Sequence, residues 1–276
     1  MYDPAPDSHA GRVIVVTGAG DGIGQAVAFA LARQGATVGL LGRTQRKLER
    51  TYDRIVKDGG PKPALLPFNL ETAAAPEYDA LHDALEREFG RVDGLAHIAG
   101  ILGMLSPIDH YDVPTWCKVL HVNLTAPFIL TQTLLPLLRR SDDACDLFTS
   151  STVARRGRAY WGAYAVSKFG VEGLMQVLAH ETEETTPIRV NSLNPGPVRT
   201  AMRLQAFPAE DRSLLPEPFA VVAPFRYLLG PASRGVSPTA RRPSGRLPQA
   251  PPRQGRSAGR SAVRPPDRGR PYRRSS

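Results

Sequence analysis

Between Arg12 and Leu41 the chain runs through a β-branched stretch, a glycine cluster, an alanine-rich stretch and a second apolar stretch, and few folds accept that order. Arg12-Val13-Ile14-Val15-Val16-Thr17 is continuous and apolar, as a strand buried on both faces is. It leads into Gly18-Ala19-Gly20-Asp21-Gly22-Ile23-Gly24. Gln25 to Gln34 then reads as a helix, Gly35 as its C-cap, and Ala36 to Leu41 as a second strand. Glycines in such a turn let the backbone approach a pyrophosphate, whose charge a helix N-terminus favours. The same cluster also serves as a plain tight turn elsewhere. Its place between a first strand and a helix favours the nucleotide reading.

The rest of the chain repeats the alternation. Thr44 to Lys57 reads as a second helix and Pro63 to Phe68 as a short third strand. Pro76 to Phe89 is a third helix with Leu81, Leu85 and Phe89 on one stripe, and Val92 to Ile98 is a fourth strand. After a loop, the pattern predicts a long helix from about Pro114 to Arg139, kinked at Pro127 and Pro136. Cys145 to Thr149, Gly162 to Glu184 and Ile188 to Leu193 follow as strand, helix and strand, and Phe219 to Leu229 as a last helix. Strands and helices at this spacing predict an α/β fold. It is a Rossmann-type doubly wound parallel sheet with helices on both faces, in one domain over residues 11–237. Residues 1–10 read as an N-terminal extension with no signal-peptide core. A chain of 276 residues, 42% hydrophobic, can bury a core of that size.

Four groups carry candidate chemistry. The second strand ends in Gly42-Arg43-Thr44, with no acidic residue to bond a ribose. A guanidinium there suits a 2′-phosphate, so NADP(H) is the preferred cofactor and NAD(H) a possible one. A solvated arginine at a helix start is the plainer alternative. Tyr164 and Lys168 lie four apart, on one helix face, where an ammonium lowers a phenol's pKa and makes it a usable proton donor. The plainer reading is a surface pair. Ser151 closes the fifth strand, where open α/β sheets bind ligands. Asn123 sits among Val119, Leu120, Val122 and Leu124, and a buried amide there needs partners, catalytic or merely structural.

Taken together the pieces resemble the short-chain dehydrogenase/reductase family. They are Thr17-Gly18-x-x-x-Gly22-x-Gly24, Ala99-Gly100, Asn123, Ser151, Tyr164-x-x-x-Lys168 and Pro195-Gly196, over about residues 10–230. Phe148 to Ser151, Trp161 to Tyr164 and Arg199 to Met202 are most similar to the bacterial YciK-like subgroup. The resemblance implies hydride transfer between a nicotinamide and a carbonyl or alcohol carbon. It implies Tyr164 as general acid or base, Lys168 lowering its pKa and bonding the nicotinamide ribose, and Ser151 on the substrate oxygen. Asn123 would hold a relay water. Gly18, Gly22, Ile23 and Gly24 would cradle the pyrophosphate, with Ala99 and Gly100 beside the cofactor. Asn69 and Leu70 would meet the adenine, Asn69 standing where the family commonly has Asp. Val198 and Thr200 would face the carboxamide. No metal is implied. One departure is Ile98, where the family has an Asn that bonds neighbouring backbone; its loss would loosen the site unless a neighbouring strand absorbs it. His97 reads as a local structural residue. Arg155, Arg156 and Arg158 would attract an anionic substrate or carrier protein, or form a solvated loop.

Charge gives the last constraint. The net charge is +9, yet residues 238–276 alone hold eleven Arg and one Asp, so the folded body is not basic. That segment, with eight Pro and four Gly, is expected to be disordered. It arises either as an electrostatic tail for RNA or as a reading-frame change near Ser237 that removed the family's last strand. Nucleic acid is otherwise an improbable partner. The expected partners are a small carbonyl or alcohol substrate and other copies of the chain, in a homodimer or homotetramer. Two unpaired cysteines and no membrane-length apolar run predict a cytoplasmic protein. A cofactor-binding sensor or scaffold without turnover remains the alternative to an enzyme.

Overall fold

A computed structural model of the chain describes residues 7–237. The Arg/Pro-rich segment 238–276, and with it the expectations about disorder and nucleic acid, lies outside the described residues. Six parallel strands form one sheet: β1 (Val13–Thr17), β2 (Thr37–Gly42), β3 (Ala64–Pro67), β4 (Gly94–His97), β5 (Cys145–Thr149) and β6 (Arg189–Leu193). Their order is β3-β2-β1-β4-β5-β6, so the winding reverses between β1 and β4. A crevice opens at the carboxyl ends of the strands at such a reversal. Among the described residues β6 is an edge and no seventh strand pairs with it.

The helices are α1 (Gly22–Ala32), α2 (Gln45–Lys57), α3 (Ala75–Phe89), α4 (Val113–Leu120), α5 (Ala126–Leu138), α6 (Gly162–Thr182), α7 (Ala201–Ala206) and α8 (Val222–Leu229). Successive strand residues face opposite sides, and the core divides accordingly. Ile14, Val16, Leu40 and Leu147 pack under α1, α2 and α8, against Leu31, Leu48, Ile55 and Phe225. Val15, Leu95 and Phe148 pack under α3, α5 and α6, against Leu85, Leu134 and Met175. Both faces are covered, which is why the strands read as unbroken apolar runs.

Three local expectations need correction. α1 begins at Gly22, not Gln25: the Asp21 carboxylate accepts the Gly22 N–H at 2.8 Å and caps the helix inside the glycine turn. The helix expected over 114–139 is two helices. A π-turn (His121–Thr125) separates α4 from α5, with the Ala126 N–H bonded to the His121 carbonyl. Pro127 has no N–H to offer the Asn123 carbonyl, so a regular α-helix cannot run through this point. Finally, part of the segment set aside as an extension packs against the body. His9 is fully buried, its N–H donates to the Gln34 carbonyl at 2.9 Å, and its Nε2 lies 3.1 Å from the Arg226 carbonyl oxygen.

Candidate active site

A cavity of about 1130 Å³ lies over the carboxyl ends of the strands and is continuous from the glycine turn to Tyr164. At one end Gly18 and Gly22 hold φ of 71° and 54°, a region that side chains rarely enter. A Cβ at Gly24 would collide with the Gly18 carbonyl, so the turn closes this tightly only as glycine. Arg43 follows β2 into the same cavity, exposed, with its guanidinium 4.0 Å from Glu71. Glu71 also bonds Lys118 at 2.7 Å, so one carboxylate faces two cations. The Asn69 carboxamide oxygen accepts the Glu71 N–H at 3.1 Å and shapes this wall, and Leu70 beside it is buried.

At the other end α6 carries Tyr164 and Lys168 on its buried face. The Lys168 ammonium donates to the Thr149 carbonyl at 2.7 Å and lies 5.8 Å from the centre of the Tyr164 ring. Burial lowers the Lys168 pKa to about 8. The depression expected for Tyr164 is not what this geometry produces. Burial of the phenol dominates and raises its pKa, while the neighbouring Ser151 hydroxyl draws it down. Ser151 stands at the start of a short 3₁₀ turn (Thr152–Ala154), its oxygen facing the Val153 N–H at 3.5 Å. Val198 is buried in the loop after β6. Thr200 caps α7, its hydroxyl accepting the Arg203 N–H at 3.2 Å, and it packs close to Gly22.

Gly18, Gly22, Ile23, Gly24, Arg43, Asn69, Leu70, Ala99, Gly100, Ser151, Tyr164, Lys168, Val198 and Thr200 therefore line one cavity. Asn123 does not. Its amide donates to the Ile101 carbonyl at 2.9 Å and the Ser167 hydroxyl at 3.1 Å, and its oxygen accepts the Ile101 N–H at 2.8 Å. Three of the four hydrogen bonds this side chain can make hold the loop after Gly100 and α6. Its backbone carbonyl, ahead of Pro127, lacks the regular helical donor.

Ile98 does not leave a gap. Its side chain packs on the α1/α8 core, and the backbone around it is held by Thr17. The Thr17 hydroxyl accepts the N–H groups of Ile98 and Ala99, both at 2.9 Å, and donates to the Ala96 carbonyl at 3.2 Å. His97 points away from the cavity into a buried set with Thr131 at 3.0 Å and Asp146 at 3.2 Å, stacked on Phe148. That role is structural, as its sequence position suggests.

Other parts were not legible in the sequence. Glu172, one helical turn beyond Lys168, accepts from the hydroxyls of Ser150 and Ser192 and so ties α6 to the ends of β5 and β6. Leu102, Val153, Trp161, Met202 and Phe207 wall the chamber next to Tyr164, with the Trp161 and Tyr164 rings 5.7 Å apart. These residues come from four separate segments without spacing in common, so no motif could have grouped them.

A dinucleotide suits this arrangement: a glycine turn opening a helix, a cation at the end of β2, and a hydroxyl, phenol and ammonium at the far end of one continuous cavity. Comparison with known proteins agrees. The family model for short chain dehydrogenases matches residues 12–211. The oxidoreductase YciK of Escherichia coli K12 is 45% identical over 84% of this chain and 92% of its own. A short chain dehydrogenase structure from Pseudomonas syringae superposes with a TM-score of 0.85 at 49% identity, over 86% of this chain and 96% of that one. Another, from Escherichia coli CFT073 and complexed with NADPH, does so with a TM-score of 0.82 at 44% identity, over 85% and 97%. The chain belongs to the short-chain dehydrogenase/reductase family and is an NAD(P)-dependent oxidoreductase of that family.

Proposed function

We propose that the protein transfers a hydride between NADP(H) and a small carbonyl or alcohol substrate, with Tyr164 as the proton donor and acceptor. The observation that carries this reading is the meeting of Ser151, Tyr164 and Lys168 in the cavity that begins at the glycine turn. The cofactor, when bound, supplies or takes the hydride. The N–H groups of the turn from Gly18 to Gly24 hold its pyrophosphate at the N-terminus of α1. Arg43 selects the 2′-phosphate by charge-assisted hydrogen bonds. Neighbours complexed with NADP and with NADPH support that preference.

In the reduction direction the Tyr164 hydroxyl gives its proton to the substrate oxygen, and Ser151 donates a hydrogen bond to the same oxygen as charge develops. The Lys168 ammonium stabilises the phenolate left behind. The replacement proton reaches Lys168 through a water held by Asn123, whose backbone carbonyl lacks the regular helical donor. The substrate's remaining groups lie against Trp161, Phe207 and Met202. Exposed apolar side chains on α5 and α6, Phe128, Val166 and Phe169, suit association with a second copy of the chain.

The test is a panel of aldehydes and ketones assayed with NADPH and NADH. NADPH should be preferred. Tyr164→Phe should lower kcat by about 10²–10⁴-fold, the range for loss of a general acid, while the affinity for NADPH, measured by its fluorescence, stays within twofold. Turnover retained in Tyr164→Phe, or protein that binds neither cofactor, sinks the proposal.

A further inference from the structure

The segment between Ser151 and Tyr164 carries Arg155, Arg156 and Arg158, and the chemistry above leaves it unused. It ends in a turn closed by the Trp161 N–H on the Arg158 carbonyl at 3.2 Å. Tyr160 inside that turn holds φ of 72°, a left-handed conformation rare for a bulky side chain. Its carbonyl accepts the Ser106 N–H at 3.0 Å, which fastens the turn to the loop beyond β4. The result is a defined position for Arg158. Its guanidinium carbon lies 5.6 Å from the centre of the Trp161 ring and 5.5 Å from that of Phe207.

Two guanidinium groups meet Phe207, and they differ. Arg203, 3.9 Å from the ring centre, is neutralised by a forked pair of bonds to Glu210 at 2.6 and 2.5 Å. Arg158 is exposed and has no acidic partner among the described residues, so its N–H groups face solvent and are open to a ligand. Contact with ring faces uses the charge but satisfies none of those donors. Of the three arginines in the segment only Arg158 lines the cavity. A permanently charged, planar donor thus stands at the rim of a chamber otherwise walled by Leu102, Val153 and Met202, two ring contacts from the phenol. A carboxylate matches it in charge and in fork geometry. A phosphate monoester, with nearly twice the charge, would ask for a second free cation.

We infer that Arg158 is a substrate-recognition residue. It binds the carboxylate of an oxo or hydroxy acid whose apolar body lies on Trp161 and Phe207 and whose reacting carbon sits at Tyr164. This inference rests on the function proposed above and names its substrate class.

The chain has two tryptophans, so Trp116→Phe leaves Trp161 as the sole reporter beside Arg158. In that background, loaded with NADP⁺ so that no reduction occurs, Trp161 quenching is titrated with 4-carboxybenzaldehyde and with its methyl ester. The acid should bind at least tenfold tighter. Arg158→Gln should bring the acid-to-ester ratio to within twofold of one, and Arg158→Lys, which keeps the charge and loses the fork, should give an intermediate ratio. If Arg158 only clamps the two rings, its loss weakens acid and ester by the same factor and the ratio survives. A surviving ratio, or no preference for the acid in the parent protein, overturns the inference. Failure to saturate with either compound counts as no preference. Tyr164→Phe should keep the ratio while losing turnover. A ratio lost in Arg158→Gln beside turnover retained in Tyr164→Phe would therefore reject the proton-transfer reading and leave carboxylate recognition standing.

Discussion

Lys168 illustrates how much of a residue's chemistry is set by its surroundings. The spacing Tyr164-x-x-x-Lys168 places both groups on one helix face, and that much follows from the sequence. The direction in which each pKa moves does not. Both groups are buried. Burial disfavours whichever form is charged, so the phenol's pKa rises and the ammonium's falls to about 8. On the mechanism proposed above, the cationic form of Lys168 is the one that stabilises the phenolate, and this form is lost as pH rises through about 8. The phenol itself stays protonated beyond that point. For reduction by NADPH, kcat/KM should therefore be level up to about pH 7 and fall about tenfold per pH unit above about pH 8. A profile that stays flat to about pH 10, the ordinary range of a lysine, would show that burial does not lower the Lys168 pKa in the working enzyme.

At the scale of elements, pattern located every strand and long helix, and what it missed were junctions. α1 starts inside the glycine turn, although glycine has poor helix propensity, because the Asp21 carboxylate caps it at Gly22, while Gly24 stays glycine because a side chain there would collide with Gly18. The break between α4 and α5 falls where Pro127 offers the Asn123 carbonyl no N–H, a local signal that reads as a kink; that the chain widens there into a π-turn is not legible from it. A similar junction lies at the opposite end of the sheet. Asp143, just before β5, accepts from Arg12 at 3.0 Å and Arg189 at 3.0 Å, with Arg234 at 3.4 Å, while Arg189 also donates to the Leu228 carbonyl at 2.6 Å. One buried carboxylate thus joins the approaches to β1, β5 and β6 and the end of α8. Asp143→Asn keeps the shape and strips the counter-charge from the buried Arg189 and the partly buried Arg12. It should cost about 3–5 kcal/mol in urea denaturation. A cost below about 1 kcal/mol would mean that water already screens the cluster.

For the whole molecule, His9 reports closure of the domain. It is buried where the start of the described chain passes α8, and burial together with Arg12 and Arg226 lowers its pKa from 6.5 to about 4. The folded state holds His9 neutral, whereas the unfolded chain takes up a proton below about pH 6.5. Its contribution is therefore fully present above about pH 6.5, declines as pH falls, and is exhausted near pH 4. Unfolding free energy should drop by about 2–3 kcal/mol more in the parent than in His9→Gln between about pH 7 and pH 4, because a pKa that differs by one between the folded and unfolded chains is worth about 1.4 kcal/mol. Parallel curves for the two proteins would show that His9 is reached by solvent. The residue was not legible as a core group, because a lone histidine close behind the Asp-containing start of the chain carries no periodic signal.

The order of the elements, the parallel sheet, the nucleotide turn and the family were all determined by the sequence itself. They rest on local patterns: β-branched runs, glycines at a strand end, a four-residue helical spacing. The tertiary structure alone decided which groups are free to act. It engaged the Asn123 amide with Ile101 and Ser167, packed Ile98 into the core under the hold of Thr17, and gave Arg203 a carboxylate while leaving Arg158 without one among the described residues. Those outcomes depend on partners brought from distant segments and on the loss of water around them. Charge, hydrogen-bond capacity and pKa are properties of an environment, and only the folded chain supplies one.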